Sequence, residues 1–105
     1  MAAPDKPAPN GLSAVHPGEV LMEDFMTPLG LTQNRMAIDI GVPPRRINEI
    51  VHGQRRISAN TALRLGRYFD NSAQFWINLQ THYDLEIEQD ALGVTLDDIK
   101  PLATA

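Results

Sequence analysis

Residues 31–53 read LTQNRMAIDIGVPPRRINEIVHG, and their spacing is that of two short helices crossed steeply about a tight turn. Gln33 opens the first helix, Ala37 lies four residues on, and Gly41 four beyond that. Val42, Ile47 and Ile50 supply apolar positions for the second helix. Two helices that cross at a steep angle touch near one point, and a small residue there lets them approach closely. Ala37 is that residue. Gly41 can take the positive φ that the turn demands. Ile47 and Ile50, three apart, turn one helical face to the core. The opposite face then carries Arg45, Arg46, Asn48 and Glu49. The pattern is a helix-turn-helix at about 33–52, a motif whose second helix enters the major groove of DNA. A plain αα-hairpin could share single residues of this set, but the charge distribution argues against it.

The flanks extend the helical pattern. Pro17 is preset for a first helical position, and Glu19, Glu23 and Asp24 suit the early turns of a helix. Leu21, Phe25 and Leu29 recur every four residues and mark its expected buried stripe, with Pro28 and Gly30 ending or distorting it. Thr32 is a natural N-cap for a helix over Gln33 to Ile40, with Met36, Ala37 and Ile40 inward. The next helix starts near Pro44 and runs to about His52, with Gly53 as its left-handed cap. Ser58 caps a fourth helix over Ala59 to Phe69, with Ala62, Leu65 and Phe69 inward. A fifth and longest helix runs from about Ala73 to Ile87. Its stripe is Phe75, Leu79 and Tyr83, with Trp76 and Gln80 beside it. A short turn is expected at Leu96 to Lys100, stopped by Pro101. The expected class is all-α, a bundle of five helices. Residues 1–14 are read as a flexible arm, 15–90 as the helix-turn-helix domain and 91–105 as a tail.

At 105 residues with 43 % apolar content, the chain suffices for one domain with a modest core. The absence of cysteine removes disulfides and thiolate metal sites. No apolar run is long enough to cross a membrane. The start, MAAPDKPAPNG, has neither the basic beginning nor the apolar stretch of a signal peptide. A cytoplasmic protein is expected. The net charge of −4 is unusual for a DNA binder, but it is unevenly placed. From Arg35 to Arg67 seven arginines stand against Asp39 and Glu49, a local excess of +5. Elsewhere Lys6 and Lys100 stand against eleven acids. Phosphate neutralisation is local, because screening cuts off charges beyond roughly 8–10 Å. The acidic remainder could serve a basic partner protein.

The N-terminal end of a reading helix meets base edges. Pro44, Arg45, Arg46 and Asn48 occupy that end here. Arginine can bond guanine O6 and N7, and asparagine can bond adenine N6 and N7. Arg45 and Asn48 are therefore assigned to bases, and Arg46 to a base or a phosphate. Gln33, at the start of the preceding helix, can help hold a phosphate. Arg55 and Arg56 follow the reading helix, where the DNA backbone should run; Arg35 is a weaker candidate. Phe75 and Trp76 could suggest a stacking platform for single strands. Their recurrence with Leu79 and Tyr83 at helical spacing instead marks a core or a dimer contact. No catalytic constellation is found. His16, His52 and His82 do not share metal-ligand spacing, and the His82–Glu86 pair offers too few ligands for zinc. No metal and no cofactor are expected.

A wider set of residues resembles a known family. His16-Pro17-Gly18-Glu19 is followed by Pro28-Leu29-Gly30-Leu31-Thr32-Gln33, then by Ile47-Asn48-Glu49-Ile50-Val51-His52-Gly53-Gln54-Arg55. Thr61-Ala62-Leu63-Arg64-Leu65, Phe75-Trp76-Ile77-Asn78-Leu79-Gln80 and Tyr83-Asp84-Leu85 complete it. This resembles the HigA antitoxins, or plasmid-maintenance antidote proteins, of the Xre, lambda-repressor-like group. The resemblance implies a five-helix lambda-repressor-like domain that binds double-stranded operator DNA as a homodimer and represses its own operon. It implies a HigB-type toxin partner, a small basic ribonuclease that cuts messenger RNA on the ribosome. It also implies that the long last helix contributes to the dimer, with Phe75, Trp76, Leu79 and Tyr83 as contact candidates. A stand-alone or phage-type Xre repressor without a toxin is the alternative. Pro43 departs from the family's usual Ser or Thr cap before the reading helix, which leaves an N–H without a side-chain partner and the start of that helix open.

Overall fold

The computed structural model describes residues 14–103, so the expected arm at 1–14 lies, apart from Ala14, outside the described residues. Among these residues there are helices and no strand. Helix α1 covers residues 17–29 in three joined parts: an α-helical turn at Pro17–Val20, a π-helical segment at Leu21–Met26 and a last turn at Thr27–Leu29. Then come α2 (Gln33–Ile40), α3 (Pro44–Val51), α4 (Ala59–Tyr68), α5 (Ala73–Leu92) and a single turn, α6 (Val94–Asp97). The first five are the helices that the spacing indicates. α5 continues past Ile87, so the limit expected at residue 90 falls inside it, and the terminal turn forms at Val94–Asp97 rather than Leu96–Lys100. No helix among the described residues is long and apolar enough to cross a membrane.

Side-chain caps start most of these helices. Thr32 Oγ1 accepts from the Arg35 N–H at 3.0 Å, Ser58 Oγ from the Thr61 N–H at 3.3 Å and Ser72 Oγ from the Phe75 N–H at 3.0 Å. Each satisfies a donor that has no partner within its helix, a contribution of about 1 kcal/mol. α1 is capped by His16, whose Nδ1 accepts from the Gly18 N–H at 2.9 Å.

The expected stripe of α1 needs correction. Leu21 is buried, Phe25 half-buried and Leu29 63 % exposed. The widened π turn, marked by the Thr27 N–H donating to Met22 O, replaces the four-residue repeat with a five-residue one, so Leu21 and Met26 point inward together. Pro28 follows directly; it has no N–H to donate and its ring crowds the carbonyl four residues back, which favours a local departure from α geometry.

The core gathers Leu21, Met26, Met36, Ala37, Ile40, Val42, Ile47, Ile50, Ile57, Ala62, Leu65 and Trp76. Trp76 sits at its centre with no exposed surface, and its indole N–H donates to Asn71 Oδ1 at 3.0 Å. On α5 the innermost line is thus Trp76 and Gln80, whereas Phe75 is 37 % exposed and Leu79 and Tyr83 are half-buried. Phe25 fills the space beside Trp76 (ring centroids 5.0 Å apart) and Phe69 (4.9 Å). α1 seats directly on the end of α3, with Gly18 against the backbone of Ile50.

Candidate nucleic-acid interface

The turn between α2 and α3 fixes where the exposed end of α3 points. Gly41 has φ +75°, and two hydrogen bonds close the α2 terminus: Gly41 N–H to Ile38 O at 3.2 Å and Val42 N–H to Ala37 O at 3.0 Å. These are the paired bonds of a Schellman cap, which needs a left-handed residue at that position. Val42 is drawn into the core and Ala37 is fully buried at the crossing. Arg64 of α4 reinforces the turn: its Nη1 donates to Ile40 O at 2.7 Å and to Gly41 O at 3.3 Å. A cation at the carbonyl end of α2 also meets the negative end of its dipole.

α3 begins at Pro44, with Pro43 as N-cap in extended conformation and no side-chain cap bond. Two features replace the missing hydroxyl. Pro44 has no N–H to satisfy, and the Arg46 N–H donates to Pro43 O at 2.9 Å. Ile47 and Ile50 are buried beneath, and Arg45 and Asn48 are exposed on the opposite face.

The side chains on that face are organised by one another. Asn48 Nδ2 donates to Gln33 Oε1 at 3.1 Å, so the residue assigned to a base and the residue assigned to a phosphate meet across the two helices. Arg46 Nη1 donates to Asn60 Oδ1 at 3.1 Å, and the same oxygen accepts from Arg64 Nε at 2.9 Å. Glu49 accepts from Arg45 Nε and from Arg55 Nε, both at 2.8 Å. Hydrogen bonds from Arg55 and Arg45 hold its carboxyl below the usual glutamate range, so it stays ionised.

Arg56 turns away from this cluster. Its Nη1 donates to Asp84 Oδ2 on α5 at 2.9 Å. Partial burial opposes ionisation of Asp84, but hydrogen bonds from Gln80 and Arg56 outweigh it and keep the carboxyl below its usual range. Arg35 pairs with Asp39 at 2.8 Å, and Asp39 also accepts from the Tyr68 hydroxyl. Thus Gln33 and Asn48 are joined across the two helices, Arg45 and Arg55 meet through Glu49, Arg46 is held by Asn60, and Pro44 stands at the exposed start of α3, while Arg56 is drawn to α5. Of the dimer-contact candidates, Trp76 is corrected: a side chain with no exposed surface is held by its own core and has nothing to offer a second copy. Phe75, Leu79 and Tyr83 retain accessible surface. The bond of Asn60 to Arg46 and those of Arg64 to Ile40 and Gly41 escape sequence reasoning because these partners lie outside α4. The Arg45–Glu49 pair has a legible signal, the four-residue helical spacing of opposite charges.

The sequence matches the helix-turn-helix family HTH_3 over residues 22–76. The chain belongs to that family. Virulence-associated protein I of Dichelobacter nodosus is 50 % identical over 96 residues, spanning 90 % of this chain and 87 % of that protein. The structure of the Pseudomonas aeruginosa antitoxin HigA with the higBA promoter matches at a TM-score of 0.82 and 43 % identity, covering 86 % of this chain and 99 % of that one. Antitoxin GraA in complex with its operator matches at 0.80 and 30 % identity, covering 99 % of each chain. The resemblance to HigA antitoxins therefore holds in sequence and in three dimensions. This helix-turn-helix family is a DNA-binding one and is not enzymatic.

Proposed function

We propose that this protein is the antitoxin of a type II toxin–antitoxin pair in the cytoplasm. It binds a palindromic operator as a homodimer, represses its own operon, and neutralises a HigB-type toxin that cuts messenger RNA. The observation that carries the DNA-binding part is the outward end of α3, where Arg45 and Asn48 are exposed over a fully buried Ile47 and Ile50. The Gln33–Asn48 bond supports it, because it fixes the amide for one orientation toward a base edge. Relatives bound to promoter or operator DNA point the same way. One reading helix spans only a few base pairs, so two copies on half-sites one helical turn apart are the expected arrangement. α5 and the segment after it leave Leu85, Ile87, Leu92, Val94 and Leu96 exposed, a surface suited to the second copy alongside Phe75, Leu79 and Tyr83. The excess of acids outside the central segment suits a basic toxin.

The test is a double substitution, Arg45→Ala with Asn48→Ala, measured against DNA from upstream of the gene and against a scrambled duplex. Two lost bidentate contacts cost about 2–6 kcal/mol, roughly 30-fold or more in affinity for the operator, whereas scrambled DNA should lose only the several-fold that one fewer positive charge brings. Unchanged operator affinity would refute the assignment. In cells expressing the neighbouring toxin gene, the same variant should still restore growth; failure to do so by a stably folded variant would show that the toxin contact includes α3. A gene with no neighbouring toxin would instead leave a stand-alone repressor.

A further inference from the structure

Glu49 is the one acidic residue of α3, and it links Arg45 at the start of that helix to Arg55 beyond its end. Its Oε2 accepts from Arg45 Nε and its Oε1 from Arg55 Nε, each at 2.8 Å. The side chain of Glu49 is 20 % exposed, against 84 % for Arg45 and 46 % for Arg55. The carboxylate therefore lies beneath two guanidinium groups that stand above it. Both bonds use Nε and leave the terminal Nη1 and Nη2 nitrogens of each arginine out of the pairing. Those terminal nitrogens are donors that can face a base edge or a phosphate. The anion is also shared: two cations and one anion leave a net charge of +1 where the arginines alone would bring +2.

Two consequences follow from this geometry. An arginine side chain holds about 2 kcal/mol of rotamer entropy, and a partner that fixes it beforehand lowers what is lost on binding. Attraction to any duplex, whatever its sequence, grows with the number of phosphates neutralised. An acid under the reading arginines thus weakens binding that depends on charge alone, while it holds the same arginines ready for one arrangement of partners. We infer that Glu49 is a specificity-determining positioning residue: it aims Arg45 and Arg55 together and suppresses binding to non-operator DNA. The inference rests on the operator-binding reading above.

The experiment uses the full chain, a duplex that the wild type selects from a random-sequence pool, and a scrambled duplex of the same composition. Affinities are measured by fluorescence anisotropy over a range of salt. Glu49→Gln should bind the scrambled duplex several-fold more tightly. Its salt slope should steepen by about 0.9, the value of one added phosphate contact. The ratio of selected to scrambled affinity should fall at least tenfold, and a pool selected by Glu49→Gln should lose its base preference at the position read by Arg45. A ratio and a selected sequence both equal to wild type would overturn the inference. Glu49→Asp separates position from charge, since its shorter chain keeps the charge but cannot span both arginines. A reduced ratio without a steeper slope supports positioning; a wild-type ratio overturns it. If the wild type itself selects no consensus, operator binding fails and this inference falls with it. A clear wild-type consensus with unaltered variants overturns this inference alone.

Discussion

Substituting Gly18 by alanine sets two opposing effects against each other at the seat of the reading helix. In an exposed helix the change stabilises by up to about 1 kcal/mol, because alanine is the better helix former. At position 18 an added Cβ would lie 1.8 Å from Ile50 O, 2.7 Å from Ile50 C and 3.0 Å from Val51 Cα. All three are backbone atoms of α3, so no side-chain rotation can make room. An ordinary contact begins at 3.4 Å, so α1 would have to retreat from α3 by roughly 1.6 Å, enough to forfeit much of the dispersion attraction along their seam. Overpacking of this kind costs about 1–3 kcal/mol, and the rigid backbone on both sides places it at the upper end. Set against the propensity gain, the net loss is about 2 kcal/mol. For a domain of this size that lowers Tm by roughly 8–16 °C. Thermal melts followed by far-UV circular dichroism measure it, and operator affinity should fall with it, because the end of α3 loses its support. A Tm at or above wild type would refute the reasoning, since helix propensity would then be the only effect present.

Two further outcomes are expected. Burial holds the His16 pKa below its ordinary 6.5, against the opposite pull of Glu19 and Asp84. The unfolded chain therefore takes up this proton before the folded one does, and stability should decline as pH falls through about 6.5 toward the folded value. Denaturant midpoints at about pH 7.5 and about pH 5.5 should differ less for His16→Asn than for wild type; equal differences would remove His16 as the cause. For the proposed dimer, Leu85→Glu changes a residue 59 % exposed on α5 and should leave a monomer in sedimentation, where the wild type sediments as a dimer, without changing helix content. A dimer that persists would place the contact elsewhere.

What could be read from the sequence is what depends on near neighbours along the chain. Thr32 and Ser58 announce helix starts because a cap reaches only three residues forward. Ala37 and Gly41 announce the crossing and the turn because both are requirements of local geometry. Leu29 is misread because a π turn between Leu21 and Met26 shifts the repeat that places it. The rotation of α5, with Trp76 inward and Phe75 at the rim, is set by Phe25 on α1 and Phe69 at the end of α4 rather than by its own pattern. The same reason hides Arg64, whose carbonyl partners at Ile40 and Gly41 lie more than twenty residues away. His16 presents as one histidine among three until its ring is seen capping α1 and edge-on to Tyr83, with centroids 4.9 Å apart.

The chain's acidity, the first objection to DNA binding, also has a structural use. Gln80 is buried, and its Oε1 accepts from the Ile57 N–H at 2.7 Å while its Nε2 donates to Asp84 Oδ1 at 3.0 Å. Asp84 Oδ2 in turn holds Arg56. The connector that leaves the reading helix is thereby fastened to α5 by a backbone donor, an amide and an ion pair. A buried N–H deprived of its acceptor costs about 1–3 kcal/mol, so this fastening is not readily given up. A reading helix that could tilt freely against α5 would leave two half-sites at no defined separation. In a dimer built on α5, the fastening carries the position of one reading helix to the other and sets that separation, which a palindromic operator must match. An acid on α5 that fastens the connector after α3 is thus compatible with DNA recognition, because in the proposed dimer it would hold the geometry on which recognition by two copies would depend.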